Sequence, residues 1–176
     1  MKTILNIEEL DDPKKLLEGY KYQKELTSKL DAIQGAFTQD IVNEIVLWKV
    51  NRYAQLSEKC LGLLNTITNE SDWEKETNGI LEQLLITPGI RLPMASTILR
   101  FKAPLVYQIF DQRVYRYLYG TEYNSTVSVE KQIQDYKDYI RLLKEKCDLY
   151  HIPFVDADRI LYLADKEHNK ELKIKY

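Results

Sequence analysis

Asp111 is the residue whose surroundings read most like chemistry. It follows the apolar pair Ile109-Phe110 and opens the stretch Gln112-Arg113-Val114-Tyr115-Arg116-Tyr117-Leu118, which has helical spacing. A carboxylate at a helix start is kept ionised by the positive end of the helix dipole. Upstream lies Thr87-Pro88-Gly89-Ile90-Arg91-Leu92-Pro93. Pro88 cannot continue a helix and Gly89 permits a positive φ, so the chain turns there. Pro93 suits the first position of the helix that follows, where its missing N–H costs nothing. The backbone N–H groups of Gly89, Ile90, Arg91 and Leu92 then point outward at a helix start, a natural phosphate seat. From Arg91 to Arg116 the cations Arg91, Arg100, Lys102, Arg113 and Arg116 stand against the single anion Asp111. Such a local basic stretch is what a phosphate backbone meets. A plainer reading of the same residues is an ordinary Pro-Gly turn, an ordinary Asp N-cap and a solvated charged face.

Helices must position these residues. Ile80, Leu81, Leu84 and Leu85 recur at helical spacing up to the turn. Ala95, Ile98, Leu99 and Phe101 form the stripe of the helix after it, with Ala95 and Ser96 small enough for close packing. Ser71-Asp72-Trp73-Glu74 reads as a capping box for the helix that enters the hairpin. Asp11-Asp12-Pro13 looks like a helix start, with the helix running to about Leu30 and Gly35 breaking it. Thr38 to Ala54 reads as the most buried helix: Ile41, Ile45, Trp48 and Arg52 share one side, and Val42, Val46, Val50 and Tyr53 widen the stripe. A short helix follows at Leu56 to Leu64. Beyond the 119–126 loop, Ser128 caps a long helix carrying Ile133, Tyr136, Ile140, Leu143 and Cys147, which His151-Ile152-Pro153 ends. Asp156 caps a last helix, Asp158 to Lys166, with Ile160 and Leu161 turned inward. The run Ile4-Leu5-Asn6-Ile7 reads as a packing arm. The expected fold is all-α, eight or so helices in one domain spanning residues 1–176.

Composition agrees. The 176 residues are 44% hydrophobic, enough for a core, and only 6 Gly and 5 Pro argue against an all-β or low-complexity chain. The net charge of −2 does not advertise nucleic-acid binding, so any such footprint is local. A tail with Lys166, Lys170, Lys173 and Lys175 adds to the basic side. There is no signal peptide and no membrane-spanning run, so the expectation is a soluble, cytoplasmic protein. Cys60 and Cys147 lie far apart and make no metal motif, and His151 and His168 have no ligand spacing. No metal site is expected. Of the 13 tyrosines, Tyr107, Tyr115, Tyr117 and Tyr119 cluster around Asp111.

Taken together, Pro88-Gly89-Ile90 with Ala95 after it, and Ile109-Phe110-Asp111-Gln112-Arg113-Val114-Tyr115-Arg116 further on, resemble the hairpin and Asp of the helix–hairpin–helix DNA glycosylase superfamily. The hairpin region spans 80–101. Trp48-Lys49 with Arg52, and Asp158-Arg159 with Tyr162 and Asp165-Lys166, resemble a less characterised bacterial branch of it. The resemblance implies two small helical lobes with a cleft between them, and double-stranded DNA as partner. It places Pro88, Gly89, Ile90, Arg91 and Leu92 on a backbone phosphate, an alkali cation at the hairpin carbonyls, and Arg113, Arg116 and Lys49 on DNA. Trp48 is better read as core, with Lys49 and Arg52 reaching out from its edge.

It also implies that Asp111 is the catalytic carboxylate of base excision, beside a flipped-out nucleotide. Relatives that form a Schiff base carry a Lys where this chain has Pro93, so hydrolysis alone is implied. Endonuclease III-like relatives hold an iron–sulfur cluster on four Cys, which this chain cannot build. Arg91 replaces the family's second hairpin Gly, limiting backbone approach to phosphate but adding a cation that can reach it. Gln108 and Gln112 flank Asp111 as candidates to bond a base or strand, and Glu74 and Glu82 as carboxylate partners. Two other readings keep the fold without catalysis: a DNA-binding helix–hairpin–helix module, and an interaction protein that has lost DNA.

Overall fold

Three helix starts in this chain are set by small hydroxyl side chains. Thr38 Oγ1 accepts the Ile41 N–H at 3.3 Å, Ser57 Oγ the Cys60 N–H at 3.1 Å, and Ser128 Oγ the Lys131 N–H at 3.3 Å. Each satisfies one of the amides that a helix start leaves open. A computed structural model of the chain describes residues 12–174, so the Ile4–Ile7 arm and Lys175 lie outside the described residues. Among the described residues there are nine α-helices and no strand. They are α1 (Pro13–Glu18), α2 (Lys24–Asp31), α3 (Gln39–Lys49), α4 (Glu58–Thr66), α5 (Trp73–Leu85), α6 (Leu92–Lys102), α7 (Gln112–Tyr119), α8 (Val129–Tyr150) and α9 (Ala157–His168). A 3₁₀ turn, Phe154–Asp156, leads into α9. No helix among the described residues is long and apolar enough to cross a membrane. The all-α expectation agrees with this architecture.

The chain divides into two compact units, Met1–Tyr53 and Ala54–Tyr176. In the first, the helix expected from Pro13 to Leu30 is two helices. The break falls at residues 19–23, and Gln23 adopts a left-handed φ of 40°. The turn lets Tyr22 Oη and Gln23 Nε2 donate to the Trp48 carbonyl at 2.8 and 3.1 Å. Trp48 Nε1 donates to Thr27 Oγ1 at 2.9 Å, and its ring meets Tyr22 edge-on. Trp48 therefore ties α3 to α2, but it is half-buried and stands outside the core cluster, contrary to its core reading. The burial expected of α3 is overturned: none of its residues is buried, and Val46 is 53% exposed. Its apolar stripe is wide enough for two partners, yet within this unit α2 is its main neighbour.

The second unit holds the main core. Ile80, Leu81 and Leu84 of α5, Leu92, Ala95 and Leu99 of α6, and Tyr136, Tyr139, Ile140 and Leu143 of α8 are buried together. Each such large apolar side chain contributes about 1.5–3 kcal/mol. Leu85, Ile98 and Ile133 are half-buried at its margin. Two expected core residues point outward: Phe101 is 67% exposed, and Ile160 is also exposed. The inward stripe of α6 is Ala95, Ser96, Leu99 and Arg100, and that of α9 is Ala157, Asp158, Leu161 and Asp165. Both are regular i, i+4 stripes that include charged residues, and Phe101 and Ile160 fall outside them. The capping box at Ser71 does not form either. Ser71 Oγ accepts the Thr68 N–H at 3.0 Å, and Asp72 is the N-cap of α5 without a side-chain cap bond.

Helices α7 and α9 are joined by ions. The Asp165 carboxylate is fully buried and takes two hydrogen bonds from Arg116, Nε at 3.0 Å and Nη2 at 2.6 Å. Arg113 Nη1 adds a third at 3.1 Å and Asn169 Nδ2 a fourth at 2.8 Å. Burial pushes this carboxyl up, but the bonds from Arg116, Asn169 and Arg113 outweigh it and hold Asp165 below the usual carboxylate range.

Candidate functional site around Asp111

The connection from Ala103 to Phe110 is not helical, yet it is tightly held. Tyr136 Oη donates to the Gln108 carbonyl at 2.9 Å, and Tyr139 Oη to the Ile109 carbonyl at 2.7 Å. Ser96 Oγ accepts the Phe110 N–H at 2.9 Å. Consecutive backbone groups are thus satisfied by side chains of α8 and α6, which is what a buried irregular segment requires. Burial pushes both phenols well above the ordinary tyrosine range, so they remain donors. Tyr139→Phe keeps the ring but orphans the Ile109 carbonyl. It is expected to cost about 1–3 kcal/mol in chemical denaturation.

This strap delivers Asp111 to the start of α7. Asp111 is its N-cap, and Oδ1 accepts the Arg113 N–H at 2.7 Å. The partly exposed carboxylate lines a pocket of about 350 Å³ with Ile109, Asp158, Arg159, Tyr162 and Leu163. That volume lies within the range of small-molecule sites, roughly 300–1,000 Å³. The guanidinium of Arg113 and the ammonium of Lys166 lie over the Tyr162 ring, 5.9 and 5.5 Å from its centre. With the exposed Arg159 they make a cationic rim beside an aromatic wall.

The hairpin forms as expected between α5 and α6. Gly89 has φ +84°, and the Ile90 N–H closes the turn on the Thr87 carbonyl at 3.1 Å. One lone pair of that carbonyl is thereby used. Arg91 is the N-cap of α6 but makes no side-chain cap bond, and Pro93 sits in the first turn. Pro88, Gly89 and Arg91 are exposed, whereas Ile90 and Leu92 are buried as whole residues and the Ile90 N–H is spent on the turn, so the outward row of amides expected from Gly89 to Leu92 reduces to Gly89 and Arg91. A second hollow of about 430 Å³ lies between residues 85–91 and Val127, Ser128, Val129 and Gln132, the approach to α8. An added Cβ at Gly89 meets nothing within 4 Å, so Gly89→Ala is opposed only by its backbone conformation. Thermal unfolding should show a loss of about 1–2 kcal/mol.

The other residues singled out in the sequence separate into distinct places. Arg116 is buried and spends its guanidinium on Asp165 and the Leu172 carbonyl, so it is a strut between α7 and the chain end rather than part of a surface. Arg113 shares Asp165 but is partly exposed at the pocket rim. Arg100 is buried and donates to the Val155 carbonyl at 2.9 Å. The basic stretch is therefore thinner than its sequence, with Arg91 and Lys102 as its exposed members. Lys49 is exposed in the first unit. Gln108 is buried and donates to the Pro104 carbonyl, and Gln112 exchanges hydrogen bonds with the Tyr123 backbone, so neither faces the pocket. Glu74 pairs with Arg141, and Glu82 is exposed away from the pocket lining. Tyr107 is core, bonded to Thr77, while Tyr115 stacks on Tyr119 and Tyr117 meets His168 at 2.7 Å. The ring that reaches Asp111's pocket is Tyr162 instead.

Asp158 is the residue that sequence periodicity passes over. It is 4% exposed and lines the same pocket as Asp111. Its Oδ1 accepts the Arg159 N–H at 2.8 Å. Burial raises its carboxyl above the usual range, against the opposing pull of the Arg159 N–H and of Arg100. The available signal was a carboxylate on the same helical stripe as Ala157 and Leu161. Among the described residues no group of three or more His, Cys, Asp or Glu is arranged to hold a metal. Compared with protein-family models, with curated proteins and with solved structures, the chain matches none.

Proposed function

We propose that the chain is a helix–hairpin–helix DNA glycosylase-like protein, hydrolysing a base–sugar bond with Asp111 as the catalytic carboxylate. The observation that carries this reading is the Asp111 carboxylate lining a base-sized pocket at the start of α7, behind a rigidly held strap. An extruded nucleotide places its base in this pocket, against the Tyr162 ring. As the C1′–N bond lengthens, positive charge grows on the deoxyribose, and a fixed carboxylate beside C1′ stabilises it. The same carboxylate orients water and takes its proton as the hydroxyl adds to C1′. Double-stranded DNA is the partner, gripped through the exposed Gly89 and Arg91 at the start of α6, which carries no side-chain cap. The rim cations Arg113, Lys166 and Arg159 face the same phosphates. Pro93 stands where a Schiff-base Lys would be, so the product is an abasic site.

A non-catalytic DNA-binding module is the second reading. It is favoured by the Arg113 N–H on Asp111 Oδ1, since capping alone gives this Asp a structural purpose. Single-turnover base release from duplexes carrying oxidised, alkylated, deaminated and mismatched bases separates the two. Release by the wild type that vanishes in Asp111→Asn is the expected result. Tight binding to an abasic-site duplex without release by either protein selects the module.

A further inference from the structure

Four lysines lie on α8, and three of them hold an oxygen. Lys131 pairs with Asp135, Lys137 donates to the Glu74 carbonyl at 3.0 Å, and Lys146 pairs with Glu145 at 2.7 Å. Lys144 differs. Its ammonium has no hydrogen bond or ion pair among the described residues. It lies instead over two rings, 4.7 Å from the centre of Trp73 and 5.4 Å from that of Phe154. Both rings are half-buried and pack against the main core, which holds them in place.

The charges around Lys144 do not supply the missing partner. Glu74, at the start of α5, attracts Lys144, Arg141 and Lys137 together, but its carboxylate is bonded to Arg141 at 3.1 Å. The Arg141 guanidinium also lies over Trp73, 5.4 Å from the ring centre, so Lys144 shares that ring with a second cation. The rings attract an ammonium, yet they offer no oxygen to its protons. Lys144 is half-buried, and burial holds it below the usual lysine range against the opposing pull of Glu74. A lysine short of acceptors and water gives up its proton more readily than its neighbours and becomes a nucleophile.

We propose that Lys144 is a covalent modification site, acylated by small acyl phosphates. In the step, the lone pair of the neutral Nζ adds to the carbonyl carbon of the acyl phosphate. A C–N bond forms, the C–O bond to phosphorus's oxygen breaks, and phosphate leaves with that electron pair. One proton of the amine passes to solvent, and nothing is oxidised or reduced. The product is a neutral amide, which discharges one of the two cations over Trp73. Its acyl group packs on the same two rings. Neutralising Lys131, Lys137 or Lys146 breaks a bond to oxygen, whereas Lys144 has no such bond to lose among the described residues. Half-exposure admits a small electrophile to this amine.

The test treats the full chain with acetyl phosphate, folded and in urea, and follows acetylation lysine by lysine by peptide mass spectrometry. In the folded protein Lys144 should be acetylated several-fold faster than Lys131, Lys137 and Lys146, and in urea that lead should vanish. Its rate should also level off at lower pH than that of Lys146, which its pair with Glu145 holds above the usual range. Phe154→Ala opens one side of the ammonium to water and should shrink the lead. If that variant folds poorly, the comparison of folded and urea-treated wild type still decides. Acetylation of Lys144 no faster than of the other three overturns the proposal, as does a lead that survives in urea. An unchanged lead in folded Phe154→Ala overturns it as well.

Discussion

Asp165→Ala should unfold the Ala54–Tyr176 unit far more readily than any other single change to an ionic residue. The substitution strips three polar partners, Arg116, Arg113 and Asn169, of one fully buried acceptor. It takes from the buried Arg116 guanidinium its two bonds to Asp165. Breaking a buried pair in this way costs about 3–5 kcal/mol, because the remaining charge stays desolvated. In a unit of this size that corresponds to roughly 10–20 °C in melting temperature. The pH dependence follows from the direction of the shift. Asp165 is held below its unfolded range, so its stabilisation is complete above the usual carboxylate pKa. It is lost as pH falls through the folded value. Wild-type melting temperature should therefore drop on acidification, and Asp165→Asn should show a shallower drop from a lower plateau. An acid profile identical in both proteins would remove Asp165 from this role.

Asp111→Asn should lower base release about 10²- to 10⁴-fold with no measurable loss of stability. The two roles of Asp111 separate cleanly at this substitution. Asn accepts the Arg113 N–H as an N-cap about as well as Asp does, so α7 keeps its start. In the proposed reaction, what disappears is the negative charge beside C1′ and the base that takes the water proton. Asp111→Ala loses both, and should add about 1 kcal/mol of destabilisation to the same loss of release. Duplex binding should persist in both variants, since the hairpin amides and Arg91 are untouched. Its affinity should fall steeply with salt, as phosphate contacts release counterions.

What could be read from the sequence was local. Gly89, Ser128 and His151 act within a few residues of themselves, and the hairpin, the start of α8 and its end appear where they were expected. Apolar periodicity located the core faces of α5 and α8 for the same reason. Charged residues on inward stripes escaped it. Arg116 and Asp165 are 49 residues apart, and neither advertises burial alone. Counting cations therefore overstated the basic face between Arg91 and Arg116. Asp158 escaped for the same reason, although a carboxylate in register with Ala157 and Leu161 is a usable sign. The α3 stripe misled in the other direction: its width promised burial, but burial requires partners as well as apolar residues. The Tyr136 and Tyr139 hydroxyls, which hold the strap before Asp111, carry no sequence mark that distinguishes them from any other core tyrosine.

The proposed reaction removes a base and leaves the strand intact. It is tested most directly by incubating lesion-bearing duplexes with the wild-type protein and resolving the strands before and after alkali. A strand that stays whole until alkali and then breaks at the lesion is the predicted result, because hydrolysis without a Schiff base leaves an alkali-labile abasic site. A strand that remains whole after alkali across every class of lesion would contradict it.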